Sequence, residues 1–258
     1  MAFSSLGSGS KGNALLVSAS DGVTATRVML DCGFGLRETE RRLARAGIAP
    51  ASLSAIIITH EHSDHAGSVF QFAARHRLQV WMSHGTFHAL ERKSHVENIC
   101  FCRDGDTFAV GDLQFTAFTI PHDAREPLQF HVTDGNSKLG MLTDAGQITP
   151  HLTLALKGCD ALMIECNHDV QMLADSSYPG FLKARIKGAH GHLSNDDAAR
   201  CIEEVDRTRL KKIIGAHLSQ QNNRPELALG KLKEAAKGSG AEIILASQEG
   251  GFGWMTVE

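Results

Sequence analysis

Five short aliphatic runs, each ending abruptly in a polar residue, constrain the fold of this chain more than any other feature. Each run has the length of a buried β-strand and is followed by turn residues or by a helical period. The runs are RVMLD, AIIITH, LGMLTD, ALMIE and KIIGAH, and they end at Asp31, His60, Asp144, Glu165 and His217. We expect these five strand ends to present their polar side chains on one rim of the fold.

Helical periods follow two of the histidine-containing motifs. The first helix is predicted to begin with Ser63 as its N-cap, and the second with the S-x-x-D sequence from Ser194 to Asp197. Between them, LQFTAFTI, LQFHVT and KLGMLT are typical of antiparallel strands, the last two joined by a turn at Gly135 and Asn136. Strands and helices in both halves predict an α/β fold in which two packed sheets carry helices outside, a four-layer αββα sandwich.

Composition limits the class of protein. No low-complexity or Pro-rich linker divides the 258 residues, so the sequence predicts one domain spanning residues 1–258. No apolar run approaches the ~20 residues of a membrane span. The N-terminus lacks a basic stretch followed by an apolar one, so we expect a cytoplasmic protein without membrane partners. The six cysteines are then expected to be reduced thiols, and the C-x-C pair at Cys100 and Cys102 is a weak zinc motif.

Charge and histidine content point to a local site. The chain has 26 basic and 29 acidic residues, a formal net charge of −3, so no global positive field gathers nucleic acid. A polyanionic partner would have to be met by a local site. The chain also has 14 histidines, a residue that titrates near neutrality and commonly binds metals.

The segment Thr59–His65, THEHSDH, concentrates three imidazoles and a carboxylate at the junction of a predicted strand and helix. One ion could take His60 and His62, and a second could take Asp64 and His65. Nitrogen and oxygen donors without thiolate suit zinc, manganese or iron. The alternative is a polar turn that happens to be rich in histidine.

The H-x-H-x-D-H pattern after an aliphatic strand resembles the signature of the metallo-β-lactamase superfamily, whose αββα fold carries its metal site at one edge of the sheets. The resemblance implies that Asp31 is an acidic residue beneath the metals. It also implies that His122 completes the first site, that His217 completes the second and that Asp144 bridges both. The implied ligands of two divalent ions, Zn²⁺ first with Mn²⁺ or Fe as alternatives, are His60, His62, Asp64, His65, His122, Asp144 and His217.

A finer resemblance, to the exonuclease-like YycJ/WalJ branch, covers nearly the whole chain. It rests on LGSGSKGNA, THEHSDHAG, the HDA at His122, ECNHD around His168, YPGFLKARIKGAHGHLSN and HLSQQNN. The chain departs from the pattern at Leu128-Gln129-Phe130, where relatives that process nucleic acid usually carry Gly-Tyr. That departure leaves details of selectivity open.

The implied chemistry is hydrolysis of a phosphodiester. Seven donors with only two carboxylates leave two divalent ions with net positive charge, which suits an anion, and a water between them would lose a proton and attack phosphorus. We therefore expect a binuclear metal-dependent phosphodiesterase or nuclease, a DNA exonuclease whose partner is nucleic acid. The alternative is a metallo-hydrolase of a small ester, thioester or lactam. An iron redox protein and a catalytically silent binding module are further alternatives, disfavoured by the histidine at position 62 and by the complete ligand set.

Further residues are predicted around the metals. His192 precedes a predicted helix whose free N–H groups would favour a phosphate, and it resembles the histidine in the H-S-T motif of tRNA 3′-processing relatives. We expect it to stabilise the transition state or protonate the leaving oxygen, beside Asp64 and, as a weaker candidate, His168. Glu165 is expected, like Asp31, to support the ligands. The predicted substrate contacts are Ser10, Asn13, Lys183, Arg185 and Lys187, with Tyr178 and Phe181 available for stacking; a tight turn and a solvated helix face are the structural alternatives.

Overall fold

The computed structural model of the protein describes residues 1–20, 22–90 and 98–257, and within them the strands form two seven-stranded sheets. Elements are numbered in chain order. The first sheet has the order β14-β1-β2-β3-β4-β5-β6. Its strands are β1 (Ala2–Gly7), β2 (Ala14–Ser20), β3 (Ala25–Leu30), β4 (Ala55–Ile57), β5 (Gln79–Met82), β6 (Ile99–Phe101) and β14 (Phe252–Thr256).

The second sheet has the order β13-β12-β11-β10-β9-β8-β7. Its strands are β7 (Thr107–Val110), β8 (Leu113–Thr119), β9 (Leu128–Thr133), β10 (Lys138–Leu142), β11 (Ala161–Glu165), β12 (Lys212–Ala216) and β13 (Glu242–Leu245). Strands β8, β9 and β10 pair antiparallel, as their alternation predicts, with Thr133 opposite Lys138 across the hairpin. Strands β10 to β13 are parallel.

Helices flank both sheets. They are α1 (Leu36–Arg45), α2 (Ser63–Ala66), α3 (Val69–His76), α4 (His84–Leu90), α5 (Pro150–Ala155), α6 (Val170–Asp175), α7 (Gly180–Lys187), α8 (Asn195–Glu204) and α9 (Pro225–Ala235). Side chains of α1 and α3 share one apolar cluster with the first sheet, and α5, α8 and α9 share another with the second. A third cluster between the sheets includes Phe3, Val17, Ile57, Phe115 and Phe130, so the predicted four-layer αββα sandwich is confirmed.

Parallel pairing explains why the polar strand ends meet. Strands β3 and β4 are parallel neighbours, as are β10, β11 and β12. Strands β4 and β11 are fully buried, so they consist of continuous aliphatic runs that carry no polar side chain until they end. The carboxyl ends of these strands therefore bring their first polar residues to the same edge of the sandwich.

Of the two predicted helix starts, the one at Ser194 is confirmed and the one at Ser63 is wrong by one residue. Ser194 caps α8 as predicted, because its side chain accepts from the backbone of Asp197 while Asp197 reaches back to the Ser194 amide. The helix after His62 is two helices, α2 and α3, and Ser63 is the first residue of α2 instead of its N-cap. The helix breaks at Gly67 and Ser68 because the Ser68 amide donates to the carbonyl of Cys32, at 3.2 Å.

No helix within the described residues is both long and apolar enough to cross a membrane. All six cysteines are free thiols. Burial raises the pKa of Cys32 to about 11, which keeps that thiol neutral at physiological pH.

Candidate metal centre

The backbone is strained where the strands end at the rim. Asp31, Asp144 and His217 have φ angles of 63°, 60° and 55°, in the left-handed region that L residues seldom adopt. Arg77 is the only other non-glycine residue with positive φ in the part of the chain that the structure describes. Such conformations persist where surrounding contacts hold them, and they cluster at functional sites. At His217 one such contact is the backbone amide, which donates to Ser8 Oγ at 2.9 Å.

Three histidines form the first donor set. His60, His62 and His122 each offer a ring nitrogen within 4.8 Å of the others. Nδ1 of His62 and Nε2 of His122 are 3.2 Å apart. His60 follows β4 and is fully buried, and its Nδ1 lies 3.0 Å from Thr59 Oγ1. This leaves Nε2 of His60 facing the other two rings.

A carboxylate and two imidazoles form the second donor set. Asp64 Oδ2 is 3.6 Å from His65 Nε2 and 3.5 Å from His217 Nε2. Asp64 and His65 lie on α2, whereas His217 follows β12 of the second sheet. The first set is likewise shared, because His60 and His62 follow β4 and His122 follows β8.

Asp144 lies between the two sets. Its Oδ2 is 3.3 Å from His65 Nε2, and its Oδ1 is 3.5 Å from His217 Nε2. One of its oxygens is also within 4.8 Å of a ring nitrogen of His60. A single carboxylate therefore reaches both sets, as the resemblance implies.

Unsatisfied polar atoms show that this donor arrangement fits a divalent metal. His60 Nε2, His217 Nε2 and Asp144 Oδ2 are buried, and none has a hydrogen-bond partner among the described residues. Buried polar atoms are rarely left so, and three of them converge here. Imidazole and carboxylate are common ligands of zinc, manganese and iron. The clusters therefore suggest divalent metal binding.

Two buried carboxylates orient these imidazoles from behind. Asp31 Oδ2 accepts from His65 Nδ1 at 2.7 Å, and Asp31 Oδ1 accepts from the Thr59 amide at 2.9 Å. Glu165 Oε1 lies 3.1 Å from His217 Nδ1 and 2.8 Å from His192 Nδ1. Since a carboxylate accepts, these ring nitrogens carry hydrogen, and each opposite nitrogen faces the centre.

Three supporting residues were missed by the sequence reasoning: Thr59, Ser8 and Asn167. Thr59 Oγ1 lies within hydrogen-bond distance of both Asp31 and His60, and Asn167 Nδ2 donates to the backbone carbonyl of His217 at 3.2 Å. Ser8 is 209 positions from the His217 amide that it binds. Thr59 precedes the histidine motif directly, which is a usable signal, whereas nothing in the spacing points to Ser8.

The histidines differ in their affinity for protons. Burial and the neighbouring His65 hold the pKa of His60 well below its usual value, so its Nε2 is free to bind a cation. Burial also lowers the pKa of His217, but the charges of Asp144 and its neighbouring carboxylates outweigh that effect and raise it to about 10. In the metal-free protein His217 is therefore an imidazolium at neutral pH, with a hydrogen on both ring nitrogens.

Metal binding is expected to release at least about one proton per chain at pH 7, because an ion at His217 Nε2 must displace the proton there. The raised pKa stabilises the metal-free fold at low pH, and that contribution is lost as pH rises from about 6.5 towards 10. Metal affinity should rise over the same window. Calorimetric titration of the metal-free protein with Zn²⁺, in buffers of different ionisation heat, measures the proton count; a count of zero would contradict the assignment of His217.

A cleft of about 360 Å³ opens above the donor sets. The predicted residues Ser10, Arg185 and His192 line it, together with Tyr178 of the predicted stacking pair. Asn13 is buried, with its Nδ2 3.1 Å from His65 Nε2. It therefore contacts the nitrogen of His65 that faces the centre, and it is not among the residues that line the cleft.

The other predicted residues lie farther from the donors. Lys183 directs Nζ to the carbonyl of Ala174 at 2.7 Å, and Lys187 is exposed at the last turn of α7. His168 is buried, and its Nδ1 has no hydrogen-bond partner within the described ranges. Its carbonyl accepts from the Asn195 amide at 2.9 Å. None of the three is among the residues that line the cleft.

The expected phosphate site at the N-terminus of α8 is wrong. Ser194 Oγ accepts from the Asp197 amide at 3.1 Å, and Asp196 and Asp197 place two carboxylates in the first turn. These charges repel a phosphate and already satisfy the favourable end of the helix dipole. His192 nevertheless faces the cleft, so its predicted role does not depend on the helix terminus.

Gln129, where the chain departs from the Gly-Tyr of nucleic-acid-processing relatives, lies beneath the site. It is buried, and its Nε2 donates to the carbonyl and the hydroxyl of Thr143 at 3.0 and 2.9 Å. With Asp31 and Thr59 it lines an internal cavity of about 30 Å³. Gln129 therefore packs under the metal donors and is not among the residues that line the cleft.

Residues 26–213 match the family described as "Beta-lactamase superfamily domain". The chain belongs to the metallo-β-lactamase superfamily. This chain is 35% identical over 229 residues to a Bacillus anthracis protein named "Exodeoxyribonuclease YycJ", and the match covers 88% of this chain and 85% of the relative. It is 32% identical over 250 residues to "Exodeoxyribonuclease WalJ" of Streptococcus pneumoniae, and the match covers 93% of this chain and 91% of the relative. Both similarities confirm the YycJ/WalJ-like branch.

Solved structures share the fold of this metallo-β-lactamase superfamily member. The metallo-β-lactamase fold protein YhfI from Bacillus subtilis superposes with a TM-score of 0.75 at 15% identity over 99% of both chains. Zn²⁺-bound PqqB from Methylobacterium extorquens gives 0.73 at 12% identity over 99% of this chain and 100% of that one. Together with the named relatives, superfamily membership supports a metal-dependent hydrolase.

Proposed function

We propose that this protein is a binuclear metal-dependent nuclease that removes nucleotides from DNA ends. The observation that carries the proposal is the pair of donor sets joined by Asp144 on the floor of an open cleft. The exodeoxyribonuclease names of relatives aligned over most of the chain support the choice of DNA. Cytoplasmic location and a single domain over residues 1–258 remain part of the proposal.

The first ion would be held by His60, His62 and His122, and the second by Asp64, His65 and His217, with Asp144 reaching both. Zn²⁺ suits these donors best, and Mn²⁺ or Fe are alternatives. Two such ions would supply a water of lowered pKa and positive charge for the phosphate oxygens. The only carboxylates in this set are Asp64 and Asp144, so the loaded centre keeps net positive charge towards an anionic substrate.

His192 is the proposed proton donor to the leaving oxygen. Burial lowers its pKa, but the carboxylate of Glu165 outweighs that effect and raises the pKa above the usual value of an imidazole. Glu165 accepts from Nδ1, which leaves Nε2 for the substrate in the cleft. His168 is sealed from the cleft by burial, so we assign it a supporting position behind His192.

Substrate contacts are proposed on both walls of the cleft. Ser10 belongs to the turn between β1 and β2 on one wall, where Asn13 fixes the turn against the donors. On the other wall α7 carries Lys183, Arg185 and Lys187 and no acidic residue. These three cations provide a local field for a polyanion in a chain whose net charge is negative.

The proposal is tested with end-labelled single- and double-stranded DNA and RNA, beside a generic phosphodiester and a thioester, each with Zn²⁺, Mn²⁺ or Fe²⁺. We expect stepwise shortening of DNA from one end. Thioester cleavage without phosphodiester cleavage would establish the alternative, a small-ester hydrolase. Metal analysis of the supplemented protein should give close to two ions per chain; a value near zero would contradict the binuclear centre.

A further inference from the structure

Helix α7 forms one wall of the cleft although it buries none of its own side chains. Leu182, Arg185 and Ile186 face the cleft, and Phe181 is 76% exposed. A short helix with no buried residue gains little from packing, so its position must be fixed by other contacts. Those contacts determine where its cations lie relative to the metal donors.

The carboxyl end of α7 is fixed to the segment that carries His192. The His192 amide donates to the carbonyl of Ile186 at 2.9 Å, and the Gly191 amide donates to that of Gly188 at 2.8 Å. A Cβ atom on Gly191 would lie 2.2 Å from the Ile186 carbonyl oxygen, so only glycine permits this approach. The last turn of α7 is therefore held at a set distance from the proposed proton donor.

One ion pair then fixes the direction of Arg185. Its Nε donates to Asp123 Oδ2 at 2.6 Å, the one hydrogen bond of the Arg185 side chain within the described ranges. The guanidinium has five donors in a planar fork, so this bond fixes the plane and leaves the terminal nitrogens for another anion. The side chain is 61% exposed and lines the cleft.

Asp123 connects Arg185 to the first donor set. Its other oxygen, Oδ1, is 3.6 Å from His122 Nε2 and 3.8 Å from His62 Nε2. The Asp123 amide donates to the carbonyl of His190 at 3.0 Å, which ties its loop to the end of α7. A single carboxylate thus separates the guanidinium from the histidines of the first donor set.

We propose that Arg185 binds the phosphate next to the scissile bond and that Asp123 is the positioning residue that aims it. The inference rests on the proposed nuclease function and adds a substrate requirement: an ionised phosphodiester adjacent to the one that is cleaved. The Asp123 carboxylate alone would repel that phosphate. Paired with Arg185 it is neutralised, and the remaining donors of the fork match phosphate oxygens.

Arg185→Ala is expected to raise KM for an oligodeoxynucleotide about tenfold to a hundredfold with little change in kcat, because a charge-assisted contact is lost and a carboxylate is left unpaired. Asp123→Ala should raise KM less than Arg185→Ala does. Asp123→Asn, whose side-chain oxygen still accepts from Arg185 Nε, should have a KM close to that of the wild type. In the double variant Asp123→Ala/Arg185→Ala, KM should equal or fall below that of Arg185→Ala, since Asp123 acts through Arg185.

Two substrates separate binding of the neighbouring phosphate from a structural effect. The KM of thymidine 5′-(p-nitrophenyl phosphate), which has one phosphodiester, should not change in these variants. An oligonucleotide with one neutral methylphosphonate next to the scissile bond should raise the wild-type KM and abolish the difference from Arg185→Ala. The matched control is Arg75→Ala, since Arg75 is equally exposed and its Nε pairs with Glu40 at 2.9 Å away from the cleft.

These experiments distinguish failure of the proposed nuclease function from failure of the proposed role of Arg185. If the wild-type protein cleaves no oligonucleotide under any metal, the nuclease function fails and this inference fails with it. Two results would overturn only the role of Arg185 while DNA is still cleaved. One is a methylphosphonate that has no effect on KM, and the other is an equal rise in the KM of the variants for the oligonucleotide and for the p-nitrophenyl diester. Loss of bound metal in Asp123→Asn would likewise overturn that role, because Asp123 would then be a ligand.

Discussion

Asp144→Asn is expected to lower phosphodiester turnover by about 10³-fold or more and to reduce bound metal well below two ions per chain. Among the residues that the structure describes, Asp144 is the one carboxylate within reach of both donor sets, and its charge would offset the repulsion between two neighbouring cations. The amide keeps the shape but loses that charge and turns N–H donors towards the ions. Turnover and metal content are measured on the same preparation, by single-turnover kinetics and elemental analysis.

The choice of asparagine follows from the backbone. Asp144 has φ of 60°, a conformation that asparagine tolerates and that costs alanine roughly 1 kcal/mol. Asparagine therefore adds no backbone strain to the loss of charge, so metal-free Asp144→Asn should melt at a higher temperature than metal-free Asp144→Ala. A matched control is Asp160→Asn, a buried carboxylate that binds Arg209 at the opposite end of β11 and should keep full metal content. Full turnover in Asp144→Asn would remove Asp144 from the bridging position.

His192→Asn is expected to lower kcat on DNA by about 10²- to 10⁴-fold while metal content stays unchanged. The asparagine amide can replace the Nδ1–H bond to Glu165 but has nothing to replace Nε2. Since the pKa of His192 is raised, mainly by Glu165 acting against burial, the acid form predominates below that pKa. Wild-type kcat should therefore fall as pH rises through it, and the variant should lack this alkaline limb.

A leaving-group comparison separates proton donation from other roles. A p-nitrophenolate leaves without protonation, so His192→Asn should lose far less on a p-nitrophenyl diester than on DNA. Equal losses on both substrates would instead indicate charge stabilisation at phosphorus. A loss of metal would show that His192 is a ligand, as its proximity to Asp144, at 3.6 Å, permits.

The parts of this structure that sequence predicted are those encoded by local patterns. The aliphatic runs ending at Asp31 and Glu165 predicted buried strands and their common rim, because the carboxyl-terminal part of each strand is buried and carries no polar residue until it ends. The S-x-x-D signal predicted the cap at Ser194 because the capping box is a contact within one turn. The THEHSDH segment itself indicated His60, His62, Asp64 and His65 as donors. The family resemblance supplied the other three, His122, Asp144 and His217.

The parts that were missed depend on tertiary contacts. The break between α2 and α3 is made by the carbonyl of Cys32, which no helical period in that segment reveals. The expected anion site at α8 is wrong because Ser194 and Asp197 form the helix cap. Their side chains occupy the position that a phosphate would take, and the Asp197 carboxylate would repel a phosphate there. The role proposed for Asp123 depends on its distances to His122 and Arg185, and the spacing of these residues in the sequence does not give the distance to Arg185.

The sharing of both donor sets between the sheets has a consequence beyond catalysis. Each ion would join residues near one end of the chain to residues far along it, such as His65 to His217, and so act as a cross-link between halves that otherwise meet through the apolar layer. A ligand that binds only the native state stabilises it in proportion to its occupancy. Metal supply would then govern how long the folded protein survives proteolysis in the cell, as well as how fast it works.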